Sequence, residues 1–330
     1  MTIGLNQSLP AGAGVPAPAG TRPEAIKAIP VRHWGRWISA AVVVYLVVAL
    51  VFSFTRNHNV EWHVVWQYLF KQLTLRGMLL TLELTVIAMV LGAVGGVVLA
   101  VMRLSDTPVL STISWVYIWF FRGTPVYVQI LLWGNFGALY YKLFAGLPFT
   151  GIVFGSALSS RVIGTFAAAI LALGLNEMAY AAELVRAGII SVDAGQQEAA
   201  LSLGMSPTLT MRRVVLPQAM RVIIPTMGNE TISMLKTTSL IAVIGGLELL
   251  GRLQVVWSQT FQIMPLIVVA CIWYLFWTTI LTVGQHYLEA YFGKGFGEKE
   301  AEAAERRAER RTLRASVALK QPPHDEGRSR

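Results

Sequence analysis

Long apolar runs separated by short polar segments dominate the chain. A membrane core of about 30 Å needs roughly 20 apolar residues per helix, because an α-helix rises about 1.5 Å per residue. Six runs meet this requirement and are the predicted membrane spans: residues 37–54, 78–102, 109–141, 162–185, 222–247 and 265–284. The pattern therefore predicts an all-α integral membrane protein with about six transmembrane helices.

Two of these runs contain residues that weaken a helix. Pro125 divides the run 109–141, which is long enough for one helix and a bend. Pro225 and Gly228 lie inside the run 222–247. Because proline lacks the backbone N–H of the helical ladder, we expect interrupted helices at these points.

Small residues recur at every fourth position in the second run, at Ala88, Gly92, Gly96 and Ala100. This spacing places them on one face of a helix, where they let a neighbouring helix approach closely. We expect close helix packing along this face. Such packing suits a transporter core and equally suits any other polytopic protein.

Composition and charge agree with a membrane protein. The chain is 55% hydrophobic and 14% charged, with a formal net charge of +9, whereas a soluble domain distributes charge along its amphipathic elements. Basic residues border the apolar runs, and their bias to one side predicts both termini in the cytoplasm. We expect residues 1–34 to be a disordered cytoplasmic segment, residues 35–56 an additional N-terminal transmembrane helix, and residues 288–330 a charged cytoplasmic tail. Nucleic acid is not an expected partner of this tail.

Residue sets for catalysis or metal binding are missing from the sequence. The single cysteine, Cys271, lies in an apolar run, which excludes an intramolecular disulfide and is typical of a small buried side chain. The five histidines lie near span ends, in loops or in the tail, without a Ser/His pair or a His-Glu-x-x-His set. The phosphate-binding loop Gly-x-x-x-x-Gly-Lys-Ser/Thr is also missing. We expect no enzymatic activity and no metal or cofactor on this chain.

One segment between spans, residues 187–217, is long for a chain whose other loops are mostly short. Its pattern consists of an acidic residue and small residues, then a glycine, then a closing apolar residue and proline: Glu198, Ala199, Ala200, Gly204, Leu216 and Pro217. Residues 196–203 are predicted to form a short helix that Gly204 ends in a left-handed conformation. Ser206 and Pro207 suit the start of the next helix. This helical hairpin is interpreted as a compact, rigid structure outside the membrane. The alternative is an incidental helical hairpin in a loop.

This pattern resembles the cytoplasmic signature of bacterial ABC importer permeases with a type I transmembrane fold. Val214 stands where isoleucine is usual, a difference of one methylene. The resemblance implies that the six residues of the pattern couple the spans to an ATP-hydrolysing partner. It also implies a bacterial inner-membrane location, two cytoplasmic ATPase subunits that bind ATP and Mg²⁺, an extracytoplasmic solute-binding protein, and a second permease in a homodimer or heterodimer.

Further segments are similar to the polar amino acid permeases of the histidine, glutamine and arginine type. They are residues 121–125, 128–129, 176–183, 216–219, 228–229, 235–236 and 238–240. The match covers residues 75–287, a five-helix core, and Thr237 stands where that family often has aspartate. The resemblance implies a polar amino acid as the transported solute. The alternative function is a secondary transporter or channel for a small polar solute.

Polar side chains inside the spans are candidate functional residues, because an ionisable group at membrane depth costs several kcal/mol unless it is paired or hydrated. Arg122, beside Pro125, is expected to bond freed carbonyls or a carboxylate on a neighbouring span. We assign Arg122, Pro125 and Glu183 a structural role inside the membrane.

The candidate substrate residues lie on the fourth and fifth spans: Asn176, Glu177, Tyr180, Asn229, Ser233 and Lys236. A zwitterionic amino acid needs an acceptor for its ammonium group, which Glu177 offers. Its carboxylate needs donors, which the fifth-span residues offer. The same side chains are equally suited to joining helices or holding a dimer together, and this alternative stays open.

Overall fold

The computed structural model describes residues 34–147, 150 and 152–293, and these residues are mainly helical. The first helix, α1 (Trp34–Thr55), belongs to a compact unit that ends at Arg56. Residues from Asn57 onward form a second unit. The predicted N-terminal segment up to residue 33 and the predicted tail from residue 294 lie outside the described residues.

The second unit holds the remaining helices. In chain order they are α2 (Trp62–Leu69), α3 (Gln72–Arg103), α4 (Pro108–Gly123), α5 (Val126–Gly134), α6 (Phe136–Leu139), α7 (Ser159–Val162), α8 (Thr165–Ile190), α9 (Ala194–Ser202), α10 (Pro207–Thr210), α11 (Leu216–Thr237), α12 (Leu249–Thr260) and α13 (Ile263–Phe292). Short helical segments of other geometry extend this set. They are a 3₁₀ turn at His58–Val60, a π-helical stretch at Met211–Val215 and a 3₁₀ stretch at Thr238–Ile244.

Four helices of the described residues are long and apolar enough to cross a membrane: α1, α3, α8 and α13. A fifth crossing is formed if Pro207–Ile244 and α12, which meet at a bend of 41°, act as one span. The predicted run 109–141 is divided into α4, α5 and α6, and none of these three helices is long enough to cross a membrane by itself. The predicted helical membrane fold is confirmed, and the predicted count of six spans requires that α4, α5 and α6 together form one more crossing.

A two-stranded hairpin is the part of the fold that the apolar pattern did not predict. Strand β1 (Lys142–Gly146) pairs antiparallel with β2 (Val153–Leu158), and Lys142 lies opposite Leu158. The hairpin lies between α6 and α7, where the sequence pattern suggested only the end of a span and a loop. Strands this short are difficult to separate from the end of an apolar helix by periodicity.

The long helices α3 and α8 form the centre of the second unit. The small residues Ala88, Gly92, Gly96 and Ala100 are all buried on α3. A Cβ atom added at Gly96 would lie 2.5 Å from the Cβ of Ala181 on α8, so glycine is required for this approach. The expected close packing along this face is therefore present, and α8 is the helix that approaches.

A second apolar core joins α2, α12 and α13, with Val65, Leu253 and Leu266 among its buried members. Glu248 fixes the start of α12, because its Oε1 accepts from the Gly251 N–H at 2.7 Å and its Oε2 from the Leu250 N–H at 2.8 Å. The Tyr274 hydroxyl of α13 donates to the same carboxylate at 3.1 Å. This fully buried glutamate thereby ties α12 to α13.

Candidate translocation site

The break between α4 and α5 follows from Pro125. Proline has no N–H to donate to the carbonyl of Phe121, four residues earlier, and it disfavours helical geometry in the preceding residue. Thr124 accordingly adopts an extended conformation, with φ −108° and ψ 137°. The break leaves backbone carbonyls that need new donors in an environment with little water.

Two buried amide side chains supply these donors. Gln129 donates from Nε2 to the carbonyls of Phe121 at 2.9 Å and Thr124 at 3.1 Å. Asn176 of α8 donates from Nδ2 to the same Phe121 carbonyl at 3.0 Å and to Gln129 Oε1 at 3.3 Å. The predicted substrate residue Asn176 thus uses its amide donor to hold the broken helix to α8. Arg122 was expected to bond freed carbonyls or a carboxylate on a neighbouring span, but these amides occupy the Phe121 carbonyl.

Next to the break lies a cleft of about 430 Å³, which we call the first cleft. Residues of α4, α5, α8 and α11 line it: Arg122, Gly123, Thr124, Pro125, Val126, Asn176, Glu177, Tyr180, Glu230, Met234 and Thr237. The structure therefore brings together three of the predicted substrate residues, all from α8, with the predicted structural residues Arg122 and Pro125.

Glu177 carries the feature of this cleft that most directly indicates a ligand. Its side chain is 1% exposed, and its Oε1 atom has no hydrogen-bond partner among the described residues. It lies against Gly92 of α3, where an added Cβ would come within 2.2 Å of the Glu177 Cγ. A buried carboxylate oxygen without a partner is costly, so a ligand or water with a donor group is expected to bind there.

The predicted fifth-span residues lie on a different face of α11 from the cleft. Asn229, Ser233 and Lys236 are exposed, and Asn229 donates to Glu289 Oε1 of α13 at 3.3 Å. The cleft is lined instead by Glu230, Met234 and Thr237, each one residue further along the helix. Glu230 is a lining residue that the sequence analysis did not name. Its signal was a second acidic residue at membrane depth, next to the chosen Asn229.

Arg122 lies over the ring of Tyr180, with the guanidinium carbon 5.2 Å from the ring centroid. Across the part of the chain that the structure describes, no carboxylate lies within ion-pair distance of Arg122. Glu183, one turn along α8 from Tyr180, instead pairs with Arg186 at 2.7 Å. The partner of Arg122 is therefore an aromatic face, held by a cation–π contact.

The predicted helical hairpin in residues 187–217 is present. Helix α9 ends before Gly204, whose φ of +82° is left-handed, and Ser206 caps α10 by accepting from the Leu209 N–H at 3.4 Å. Glu198 and Ala199 are exposed on α9, and Ala200 is buried. Leu216 and Pro217 begin α11, so the hairpin continues directly into a helix that lines the first cleft.

Comparison with known proteins places this geometry in a family. Residues 92–292 match the family described as "Binding-protein-dependent transport system inner membrane component". The arginine transport system permease protein ArgU of Corynebacterium glutamicum is 47% identical over 281 residues, which cover 85% of this chain and 87% of that protein. The L-cystine transport system permease protein TcyL of Bacillus subtilis is 40% identical, over 52% of this chain and 67% of that protein.

Solved structures of amino acid transporters resemble the chain as well. The crystal structure of an amino acid ABC transporter with histidines is 34% identical and has a TM-score of 0.58, covering 67% of this chain and 95% of that chain. An inward-facing structure of the MetNI methionine ABC transporter, 17% identical, has a TM-score of 0.51 over 67% of this chain and 96% of that chain, and it supports the fold alone.

These matches confirm the predicted family and function. The match to the family covers more than half of the chain, and the relatives are transport permeases rather than enzymes. The chain is a multi-pass membrane protein with a type I ABC permease fold. It belongs to the binding-protein-dependent transport system inner membrane components, as a permease subunit that forms the translocation pathway of an ABC importer.

Proposed function

We propose that the transported solute is an amino acid with a cationic side chain and that it binds in the first cleft. The observation that carries this proposal is the unpartnered, buried Oε1 of Glu177 in a cleft that also contains Glu230. A basic amino acid has two cationic groups and one carboxylate at neutral pH. The cleft offers two carboxylates and one guanidinium, that of Arg122, which is the complementary set.

The charge balance separates basic from neutral amino acids. A neutral amino acid has one ammonium group, so it would leave one carboxylate of the cleft unmatched in a region of low dielectric constant. The similarity to an arginine transport permease points to the same class of solute. Asn176 acts mainly through the broken helix, whereas Glu177, Glu230 and Arg122 are the residues we assign to the solute.

Radiolabelled arginine tests this assignment in proteoliposomes that contain the permease, its ATPase and its loaded binding protein. Losing a charge-assisted hydrogen bond costs about 1.5 to 3 kcal/mol, so we expect Glu177→Gln and Glu230→Gln each to lower uptake by roughly 10-fold to 100-fold. Glu289→Gln is the matched control, because this carboxylate is exposed on α13 outside the cleft and glutamine keeps an acceptor for Asn229. Wild-type uptake in both cleft variants would assign these carboxylates to helix packing.

Energy for transport comes from two cytoplasmic ATPase subunits, which bind ATP and Mg²⁺ in place of this chain. The hairpin of α9 and α10 is the docking surface, with Glu198, Ala199, Ala200 and Gly204 in its first half. Its apolar side chains support this role, since Leu203 is 84% exposed and Leu209 is 42% exposed. Exposed apolar groups on a small knob are typical of a surface that a partner covers.

The remaining parts of the complex follow from the family. An extracytoplasmic solute-binding protein delivers the amino acid, and a second permease, either a copy or a relative, completes the pathway. Both termini lie in the cytoplasm of a bacterial cell, because the basic residues favour that side of the inner membrane. The exposed polar face of α11 with Asn229, Ser233 and Lys236 is available to this second permease.

A further inference from the structure

A second cleft, also of about 430 Å³, borders the first. Its lining includes Arg103, Trp115, Trp119 and Glu183, none of which reaches the first cleft. Arg122, Gly123 and Tyr180 line both clefts. Since Gly123 has no side chain, the side chains at which the two clefts meet are those of Arg122 and Tyr180.

These two side chains come from different helices. Arg122 lies in the last turn of α4, directly before the break, and Tyr180 lies near the middle of α8. Within the described part of the chain, these two side chains meet through the cation–π contact, with the guanidinium carbon 5.2 Å from the ring centroid. A contact of this kind is weaker than a buried ion pair, so a modest movement of α4 relative to α8 separates the two groups.

The two clefts differ in charge. The first contains Glu177 and Glu230, whereas the second contains Arg103, and its carboxylate Glu183 is already paired with Arg186. A cationic solute is therefore attracted by the two carboxylates of the first cleft, whereas Arg103 gives the second cleft an additional positive charge. Arg103 is the last residue of α3, at the helix end that the charge bias assigns to the cytoplasm. The second cleft accordingly lies on the exit side.

We propose that Arg122 and Tyr180 form an internal gate between a solute-binding cleft and an exit cleft of the permease. In the closed gate the guanidinium covers the ring and presents positive charge to the solute. The helical hairpin of α9 and α10, which we call the coupling hairpin, joins α8 to α11. Movement of α8 and α11 separates Arg122 from Tyr180 and connects the clefts. The direction of passage rests on the proposed function, whereas the barrier between the clefts does not.

Cysteine accessibility in the assembled transporter tests the gate. In a Cys271→Ser background, Thr237→Cys reports on the first cleft and Trp119→Cys on the second. The probe is the cationic thiol reagent methanethiosulfonate ethyltrimethylammonium, applied from the cytoplasmic face to nucleotide-free and ATP–vanadate-trapped complexes. We expect labelling at position 237 to differ by about tenfold between the two states, and labelling at position 119 to differ little.

Two variants show whether the pair causes this difference. Tyr180→Ala removes the ring, and Arg122→Gln removes the cation, so each should abolish the difference at position 237. Tyr180→Phe retains the aromatic face and should preserve it. Equal labelling of position 237 in both states of the parent, or a difference that survives both Tyr180→Ala and Arg122→Gln, would overturn the gate. Vanadate-sensitive ATPase activity confirms assembly of each complex, and since the reagent is not an amino acid, the result is independent of solute specificity.

Discussion

Gln129 donates a hydrogen bond to the carbonyl oxygen of Phe121 at 2.9 Å, across the break between α4 and α5. The same amide bonds the carbonyl and the hydroxyl of Thr124, at 3.1 Å and 2.8 Å. Together with Asn176, which donates to the same Phe121 carbonyl at 3.0 Å, this side chain replaces the donor that Pro125 cannot supply. The wall of the first cleft depends on this replacement, because Arg122 and Pro125 lie on either side of the extended Thr124.

Removing this amide should destabilise the permease. Gln129→Leu keeps much of the volume but leaves the Thr124 carbonyl without its donor, and an unsatisfied buried group costs about 1 to 3 kcal/mol. Gln129→Glu should be worse, since a carboxylate beside two carbonyls cannot donate. The loss of stability is measured by heating the permease in detergent and monitoring the folded fraction by size-exclusion chromatography. Gln254→Leu is the matched control, because Gln254 is exposed on α12 and surface changes cost within about 0.5 kcal/mol.

The break at Pro125 could be predicted from the sequence, but the side chains that satisfy it could not. Gln129 and Asn176 are 47 residues apart, and only the packing of α5 on α8 brings their amides to one carbonyl. Because the packing of the helices could not be predicted, Asn229, Ser233 and Lys236 were chosen as substrate residues although they lie outside the cleft. Helical periodicity shows which residues share a face of α11, but it does not show which face lines the cleft. Rotating α11 about its axis by one residue position brings Glu230, Met234 and Thr237 to the cleft in place of Asn229, Ser233 and Lys236. Neighbouring helices set that rotation.

The coupling hairpin depends on the left-handed conformation of Gly204, with φ +82°. Gly204→Val places a β-branched residue there at a cost of about 1 to 2 kcal/mol, so we expect the stimulated ATPase rate to fall by about 5-fold to 30-fold. Gly204→Asn is the matched control, because asparagine tolerates this conformation. The measurement is ATPase stimulation by the loaded binding protein. Equal stimulation in the valine and asparagine variants would contradict the role of this turn.

Membrane orientation is open to a labelling experiment in intact cells. If both termini are cytoplasmic, cysteines introduced by Gly20→Cys and Lys320→Cys should resist a membrane-impermeant thiol reagent. Thr150→Cys, after strand β1, should react, because an odd number of crossings separates it from each terminus. A Cys271→Ser background removes the native thiol, which is exposed in the structure. Reaction of either terminus from outside would reverse the orientation or change the number of spans.

Gly92 holds the position of Glu177 through the absence of a side chain. A Cβ atom at position 92 would lie 2.2 Å from the Cγ and 2.8 Å from the Cβ of Glu177, so Gly92→Ala must displace the carboxylate or separate α3 from α8. Overpacking of this kind costs about 1 to 3 kcal/mol, and we expect arginine uptake to fall by roughly 5-fold to 150-fold.

Gly95→Ala provides a control for this substitution on the same helix. Its added Cβ would meet the thioether of Met178, 2.5 Å from the sulfur, and a methionine side chain can move away because it is flexible. Both variants add one methyl group to the contact between α3 and α8. Their uptake is compared at equal amounts of folded protein and at a saturating concentration of the loaded binding protein. A loss of uptake in Gly92→Ala but not in Gly95→Ala supports the conclusion that transport depends on the position of the Glu177 carboxylate. Equal losses in the two variants would show that the contact between the helices, and not the position of the carboxylate, limits the rate.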